Sequence, residues 1–215
     1  FEQIASEYSG KPQGERLYFL QGDAYYQMKQ YSLATYPFER LQKIYPRSAK
    51  AVEAAFLEAK SLYMQVPTYS VDQTYTYQAL EKLQYFMDRY SDSDYAKEAN
   101  ELILNLLTQL QKKEFEIAKQ YDLIRDYQAA MKSLDNFLAN NPGSVFREEA
   151  LYTRLHSAYE WAINSVESKQ KERLDTAKEA YDTLLRAFPE TKYKKEADNM
   201  LKKINTSLKS FTSQK

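Results

Sequence analysis

Apolar residues recur along this chain at helical spacing. Ala34, Phe38 and Leu41 lie twelve, eight and five residues before Pro46, and Ala79, Leu83 and Phe86 hold the same offsets before Ser91. Ala130, Leu134 and Phe137 repeat them before Pro142, as do Ala177, Tyr181 and Leu184 before Pro189. Small, large and large at these spacings make one face of a helix, the small residue allowing close approach and the larger ones filling the space beside it. The pattern predicts helices at about 14–29, 31–45, 48–65, 73–90, 94–122, 127–140, 145–165, 170–187 and 191–210. The stretch 94–122 has no breaker and reads as a single helix of about 43 Å, stiffening the middle of the chain.

A second frame follows each stop. Ser48, Ser93, Ser144 and Thr191 each stand five residues before a Glu-Ala pair: Glu53-Ala54, Glu98-Ala99, Glu149-Ala150 and Glu196-Ala197. Proline closes one helix and the hydroxyl is expected to cap the next. The glutamate falls in the first turns, where the helix dipole favours an anion. Successive units are 45, 51 and 47 residues apart.

Composition narrows the function. Lys and Arg number 30, as do Asp and Glu, so no global field exists to hold a nucleic acid. No apolar run approaches the roughly 20 residues that span a bilayer. Cysteine is absent and His156 is the single histidine, which leaves little material for a metal centre or a catalytic triad. No nucleophile or glycine-rich loop accompanies the scattered carboxylates, so no catalytic residue, metal ligand or cofactor is expected. The 20 tyrosines are the unusual entry in the composition.

Gly22, Tyr25, Ala34, Phe38 and Pro46 fall at the spacing of the tetratricopeptide repeat, as do Ala118, Tyr121, Ala130, Leu134 and Pro142. The resemblance implies an all-α fold, a right-handed α-solenoid of tetratricopeptide-like helix pairs. Residues 1–215 are expected to form one solenoid domain, with repeats at 14–46, 48–91, 94–142 and 145–189 and a C-terminal capping helix at 191–215. Phe1–Tyr8 repeats the pattern of Phe38–Tyr45, so residues 1–9 read as the end of a truncated first repeat whose partner helix lies upstream.

Two inserts make a more specific likeness. Tyr69-Ser-Val-Asp-Gln-Thr-Tyr-Thr-Tyr77 and Asn164-Ser-Val-Glu-Ser-Lys-Gln-Lys-Glu-Arg173, with Lys113–Tyr121 and Phe137–Ser144, resemble the BamD family of outer-membrane β-barrel assembly lipoproteins in its Bacteroidetes-type form. That resemblance implies a scaffold subunit on the periplasmic face of the outer membrane, held by an N-terminal lipid anchor absent from this chain. The implied partners are the barrel-forming assembly subunit with its periplasmic repeat domains, other assembly lipoproteins and unfolded outer-membrane protein precursors. A generic periplasmic tetratricopeptide adaptor in envelope maintenance is the alternative.

On repeat geometry, Arg16, Phe19, Asp23 and Tyr26, with Phe56, Lys60, Tyr63 and Met64, are expected to line a groove for an extended, aromatic-ended precursor segment. The competing expectation is that the tyrosines pack between helices with their hydroxyls at the rim. The insert at 67–77 reads as a brace or a partner-reading loop, with Asp72 and Thr74 placed to cap the helix that follows. The mixed-charge run at 165–173 reads either as a solvated face or as a docking site for another subunit through Lys169, Lys171 and Arg173. From residue 191 onward the chain carries +5 and the remainder −5. That segment reads as a capping helix with a wet basic face, or as a surface drawn to an anionic membrane or acidic partner. His156, near Tyr159 and Trp161, reads as a packed or surface residue.

Overall fold

The computed structural model describes residues 7–212, and among these the chain is helix and turn throughout. The helices are α1 (Pro12–Gln27), α2 (Tyr31–Ile44), α3 (Ala51–Tyr63), α4 (Thr74–Tyr90), α5 (Ala96–Leu123), α6 (Tyr127–Asn140), α7 (Arg147–Ile163), α8 (Glu167–Ala187) and α9 (Lys194–Thr212). The expected helix end at Phe1–Tyr8 lies outside the described residues except for Glu7 and Tyr8. Sequential neighbours pack together, α1 on α2, α2 on α3 and α3 on α4, then α6 on α7, α7 on α8 and α8 on α9. This is the helix-pair packing of a tetratricopeptide-like α-solenoid. Two compact units divide the chain, Phe1–Leu110 and Gln111–Lys215, with α5 contributing residues to each.

The periodic faces become the cores. In the first unit Ala34, Phe38 and Leu41 of α2 are fully buried, as are Ala79 and Leu83 of α4, with Phe86 close behind. In the second, Ala130 and Leu134 of α6 and Ala177 and Leu184 of α8 play the same part. Gly22 of α1 lies directly over Phe38: a Cβ there would sit 2.6 Å from the Phe38 ring. Ala118 of α5, at the corresponding place in the second unit, is itself fully buried.

The hydroxyl frame acts one turn earlier than the spacing predicts. α3, α5, α7 and α9 begin three residues after Ser48, Ser93, Ser144 and Thr191. The hydroxyls accept from the amides two residues on, at Lys50 (2.9 Å), Phe146 (3.2 Å) and Tyr193 (3.3 Å). They close a lead-in turn rather than cap the helix itself. Ser48 Oγ also donates to Glu15 Oε1 at 2.6 Å, and Thr191 Oγ1 to Glu148 Oε1 at 2.7 Å. Ser93 Oγ is buried with no hydrogen-bond partner among the described residues. Val52, the residue just before Glu53 in the repeat frame, occupies the place that Glu148 holds before Glu149.

Two residues beyond each hydroxyl stands the contact that joins one pair to the next. Tyr95 stacks on Phe56 (4.9 Å between centroids), Phe146 on Phe115 (5.7 Å) and Tyr193 on Tyr152 (4.1 Å). In the first unit Lys50 takes the ring's place, its ammonium 4.7 Å above Phe19.

The insert at 65–73 is organised by Gln73, which is buried. Its Nε2 donates to the carbonyls of Thr68 and Val71, both at 2.9 Å, while its Oε1 accepts from Thr76 (2.8 Å) and Gln109 (3.1 Å). Gln109 also reaches the Pro67 carbonyl at 2.7 Å. Asp72 Oδ1 accepts from the Thr74 amide at 2.9 Å, at the start of α4. The loop is therefore braced, with Tyr75 and Tyr77 exposed beside it.

Gln73→Ala is expected to cost about 1–3 kcal/mol, because it leaves the buried Thr76 hydroxyl without its partner and removes the bonds to the Thr68 and Val71 carbonyls; thermal melting checks this. Ser48→Ala should lower stability by about 1.5–3 kcal/mol, the usual size for a hydrogen bond to a charged group. Ser93→Ala should leave the melting temperature unchanged or raise it, since it removes a buried hydroxyl without a partner.

Candidate functional site

An open depression of about 730 Å³ lies in the second unit. Four elements supply its walls. The end of α5 and the turn after it give Asp122, Leu123 and Arg125, the start of α6 gives Tyr127, α7 gives His156, Glu160 and Trp161 with Asn164 just past its end, and α8 gives Arg173. His156 and Glu160 are four residues apart and share one face of α7, and Asn164, at its C-terminal cap, donates to the Glu160 carbonyl at 2.8 Å. The turn after α5 holds Arg125 at φ 65°, in the left-handed region that usually takes glycine. Lys29, in the matching turn after α1, has φ 58°.

Asp122 is the hub of the floor. Its Oδ1 accepts from Ser157 Oγ at 2.6 Å, and both carboxylate oxygens lie 3.0 Å from His156 Nδ1. A carboxylate in the last turn of a helix faces the negative end of the dipole, so it gains from a cation supplied by another helix. The hydrogen bond to Asp122 is the main cause that lifts His156 above its ordinary value of 6.5, against the opposing pull of burial, with Glu160 adding a smaller lift. Serine, histidine and aspartate are the residue types of a hydrolytic triad, but the order differs. Here the carboxylate receives both donors, and Ser157 is fully buried. The trio clamps α5 to α7.

The rim is made by the second insert. α8 begins at Glu167, earlier than the spacing predicts, so the mixed-charge run forms its first two turns. The Arg173 guanidinium lies 3.9 Å from the Trp161 ring centroid and donates to Ser165 Oγ. Lys169 and Lys171 are exposed, Lys169 standing 3.8 Å from Glu172. Leu123, which lines the depression, is exposed, as are Ile163 at the end of α7 and Val166 just before α8. Of these residues, sequence reasoning singled out His156, Trp161, Lys169, Lys171 and Arg173. Asp122 was missed, because its partners are 34 and 35 residues away.

In the first unit the expected groove residues divide. Arg16 and Met64 are exposed, and Asp23 is half-buried, accepting from Gln27 at 3.1 Å. Tyr26 packs edge-on against Tyr31 at 5.5 Å and lies beside Lys60, whose ammonium is held by Glu98 at 2.7 Å. Tyr63 Oη donates to Asn105 at 3.1 Å. Phe19 is half-buried beneath Lys50. Phe56 is 2% exposed and stacked on Tyr95, so its ring belongs to the core and offers no surface to a groove. The structure thus brings Tyr26 and Lys60 together and withdraws Phe56, because the repeat joint claims that ring.

Because the folded value of His156 lies above 6.5, protonation stabilises the fold. That contribution is full below the unfolded value and fades as pH climbs through the folded one. The melting temperature is expected to fall from about pH 6 to about pH 8 by more than in Asp122→Asn, whose slope should be nearly flat over that window.

Comparison with known proteins matches this architecture. The YfiO family, described as an outer membrane lipoprotein, matches residues 1–132 and 124–211. The outer membrane protein assembly factor BamD of Caulobacter vibrioides is 28% identical over 159 residues, covering 74% of this chain and 52% of that protein. The chain therefore spans about half the length of this curated relative. No helix among the described residues is long and apolar enough to cross a membrane. The chain is BamD-like and belongs to the YfiO family of outer membrane lipoproteins.

Proposed function

We propose that this chain is a scaffold subunit of the outer-membrane β-barrel assembly machinery, working by binding and not by catalysis. In this reading it grips the barrel-forming assembly subunit, sits beside other assembly lipoproteins and receives unfolded barrel precursors. It is held at the periplasmic face of the outer membrane by an N-terminal lipid. The observation that carries the role is the family match along nearly the whole chain.

The two surfaces divide the work. The depression bounded by Trp161, Arg173 and the start of α8 is the docking site for the partner subunit, with Lys169 and Lys171 at its edge. A guanidinium resting on an indole is the kind of anchor that dominates protein interfaces. The surface of α1 and α3 carrying Arg16, Phe19, Asp23, Tyr26, Lys60, Tyr63 and Met64 receives the precursor segment, Phe56 supporting it from beneath. Tyrosine and lysine there offer a ring face and a hydrogen-bonding rim at low entropic cost.

The test is affinity purification of the full-length protein from its native membrane, comparing the parent with Lys169→Glu/Lys171→Glu. Arg173 is left intact because it packs on Trp161. The parent should recover a barrel-forming subunit with periplasmic repeat domains. The double variant should bind that subunit about tenfold less tightly with an unchanged melting temperature, as rim charges do. Recovery of other envelope proteins without that subunit would leave an adaptor of a different kind.

A further inference from the structure

The basic segment at the end of the chain is organised in space. α9 buries Ala197 and Ile204 completely, with Leu201 and Leu208 partly covered alongside them. At 100° per residue, the opposite face carries Lys195, Asn199, Lys202, Thr206 and Lys209, and all five are exposed. The three lysines recur every seven residues, about 10.5 Å apart along the axis. Lys203 is exposed to one side, its ammonium 5.9 Å from the Tyr159 ring.

The acids of α9 are kept off this line. Asp198 accepts from Tyr181 Oη at 2.7 Å and stands 3.8 Å from Lys194, so its charge is engaged toward α8 and the first turn. Glu196 sits in the first turn, where the dipole favours it, about 100° around the helix from Lys195. The outward line itself is lysine, asparagine and threonine, with no carboxylate.

We propose that this face of α9 binds the surface of an anionic phospholipid bilayer. Three features favour a lipid surface over a fitted protein partner. The charges are lysines, compact and strongly hydrated, and no arginine fork is present to pair with placed carboxylates. They are spaced evenly along a straight helix with small polar residues between them, matching diffuse charge in place of a pocket. No exposed aromatic or aliphatic anchor interrupts them, as an interface hot spot would require. The apolar face is already committed to the core, so the helix cannot sink into the acyl region as an amphipathic anchor does. Attachment is therefore electrostatic, and it fades within a Debye length as salt rises. This inference is independent of the docking site on α7 and α8.

The experiment is co-sedimentation of the 215-residue chain with vesicles of phosphatidylcholine alone and of phosphatidylcholine with phosphatidylglycerol, at low and high salt. The chain should bind the anionic vesicles only, and high salt should release it. Lys195→Gln/Lys202→Gln should weaken that binding about 30-fold, the size expected for two lysine charges at an anionic surface. Lys43→Gln/Lys97→Gln, which removes two exposed lysines of the first unit, should leave it intact. All four positions are exposed, and an unchanged melting temperature confirms the fold in each variant. Equal binding to neutral vesicles, no binding to anionic ones, or binding that the α9 variant leaves unchanged would overturn the proposal. Tighter, lysine-dependent binding to soluble polyglutamate than to vesicles would also overturn it, assigning the face to an acidic polypeptide.

Discussion

The structure depends on how one helix pair is joined to the next. A pair buries its own alanine, phenylalanine and leucine stripe, but its first helix still presents a large ring toward the following pair. The chain covers that ring with the side chain two residues beyond a serine or threonine. Tyr95 covers Phe56, Phe146 covers Phe115, and Tyr193 covers Tyr152. The hydroxyl turn sets the approach, and the ring then adds about 0.5–1.5 kcal/mol beyond its buried area. At the first joint a lysine does this work for about 0.5–1 kcal/mol. Its flexible stem covers less, and Phe19 is left half-buried where Phe56 is buried.

The same joint is reinforced by charge. Lys60 and Lys119 each stand four residues after the stacked phenylalanine, at 5.5 and 5.6 Å from its ring. Each reaches the glutamate in the first turn of the next pair, Glu98 at 2.7 Å and Glu149 at 2.6 Å. These glutamates therefore serve the helix dipole and the joint at once, and part of each lysine's stem is spent covering the ring. A residue recruited this way is held in one place, so Lys60 meets a partner already ordered beside Tyr26.

Much of this was legible from periodicity. All nine helices seen among the described residues were expected, and the buried stripes of α2, α4 and α6 are the ones that the offsets predict, while in α8 Ala177 and Leu184 are buried and Tyr181 is half-buried with its hydroxyl on Asp198. What escaped was register at helix starts and anything set by distant partners. Local spacing cannot tell a helix cap from a lead-in turn, because serine satisfies an amide two residues ahead in either case. Gln73 looked like any first residue of a helix, since its role needs Gln109, 36 residues later. The tyrosines were legible only in bulk. Tyr45, Tyr63 and Tyr181 place their hydroxyls on Lys11, Asn105 and Asp198, while Tyr36, Tyr75, Tyr77 and Tyr85 stay exposed.

Regular joints also decide where binding chemistry can collect. Wherever the repeat runs true, the stacked first-helix rings are covered by the neighbouring pair, and Phe56 and Phe115 have little left to offer. Turns and helix starts carry side chains that no joint covers. The turn after α5 forces Arg125 into a left-handed backbone, and the early start of α8 lays Arg173 across Trp161. α9 has no further pair among the described residues to cover its outer side, and its line of lysines is exposed. In a repeat protein built on one joint, the side chains that no neighbouring pair covers stay exposed, on the surface of α1 and α3, on the first turns of α8 and on the outer face of α9, and those are the places that a partner or a charged surface can address.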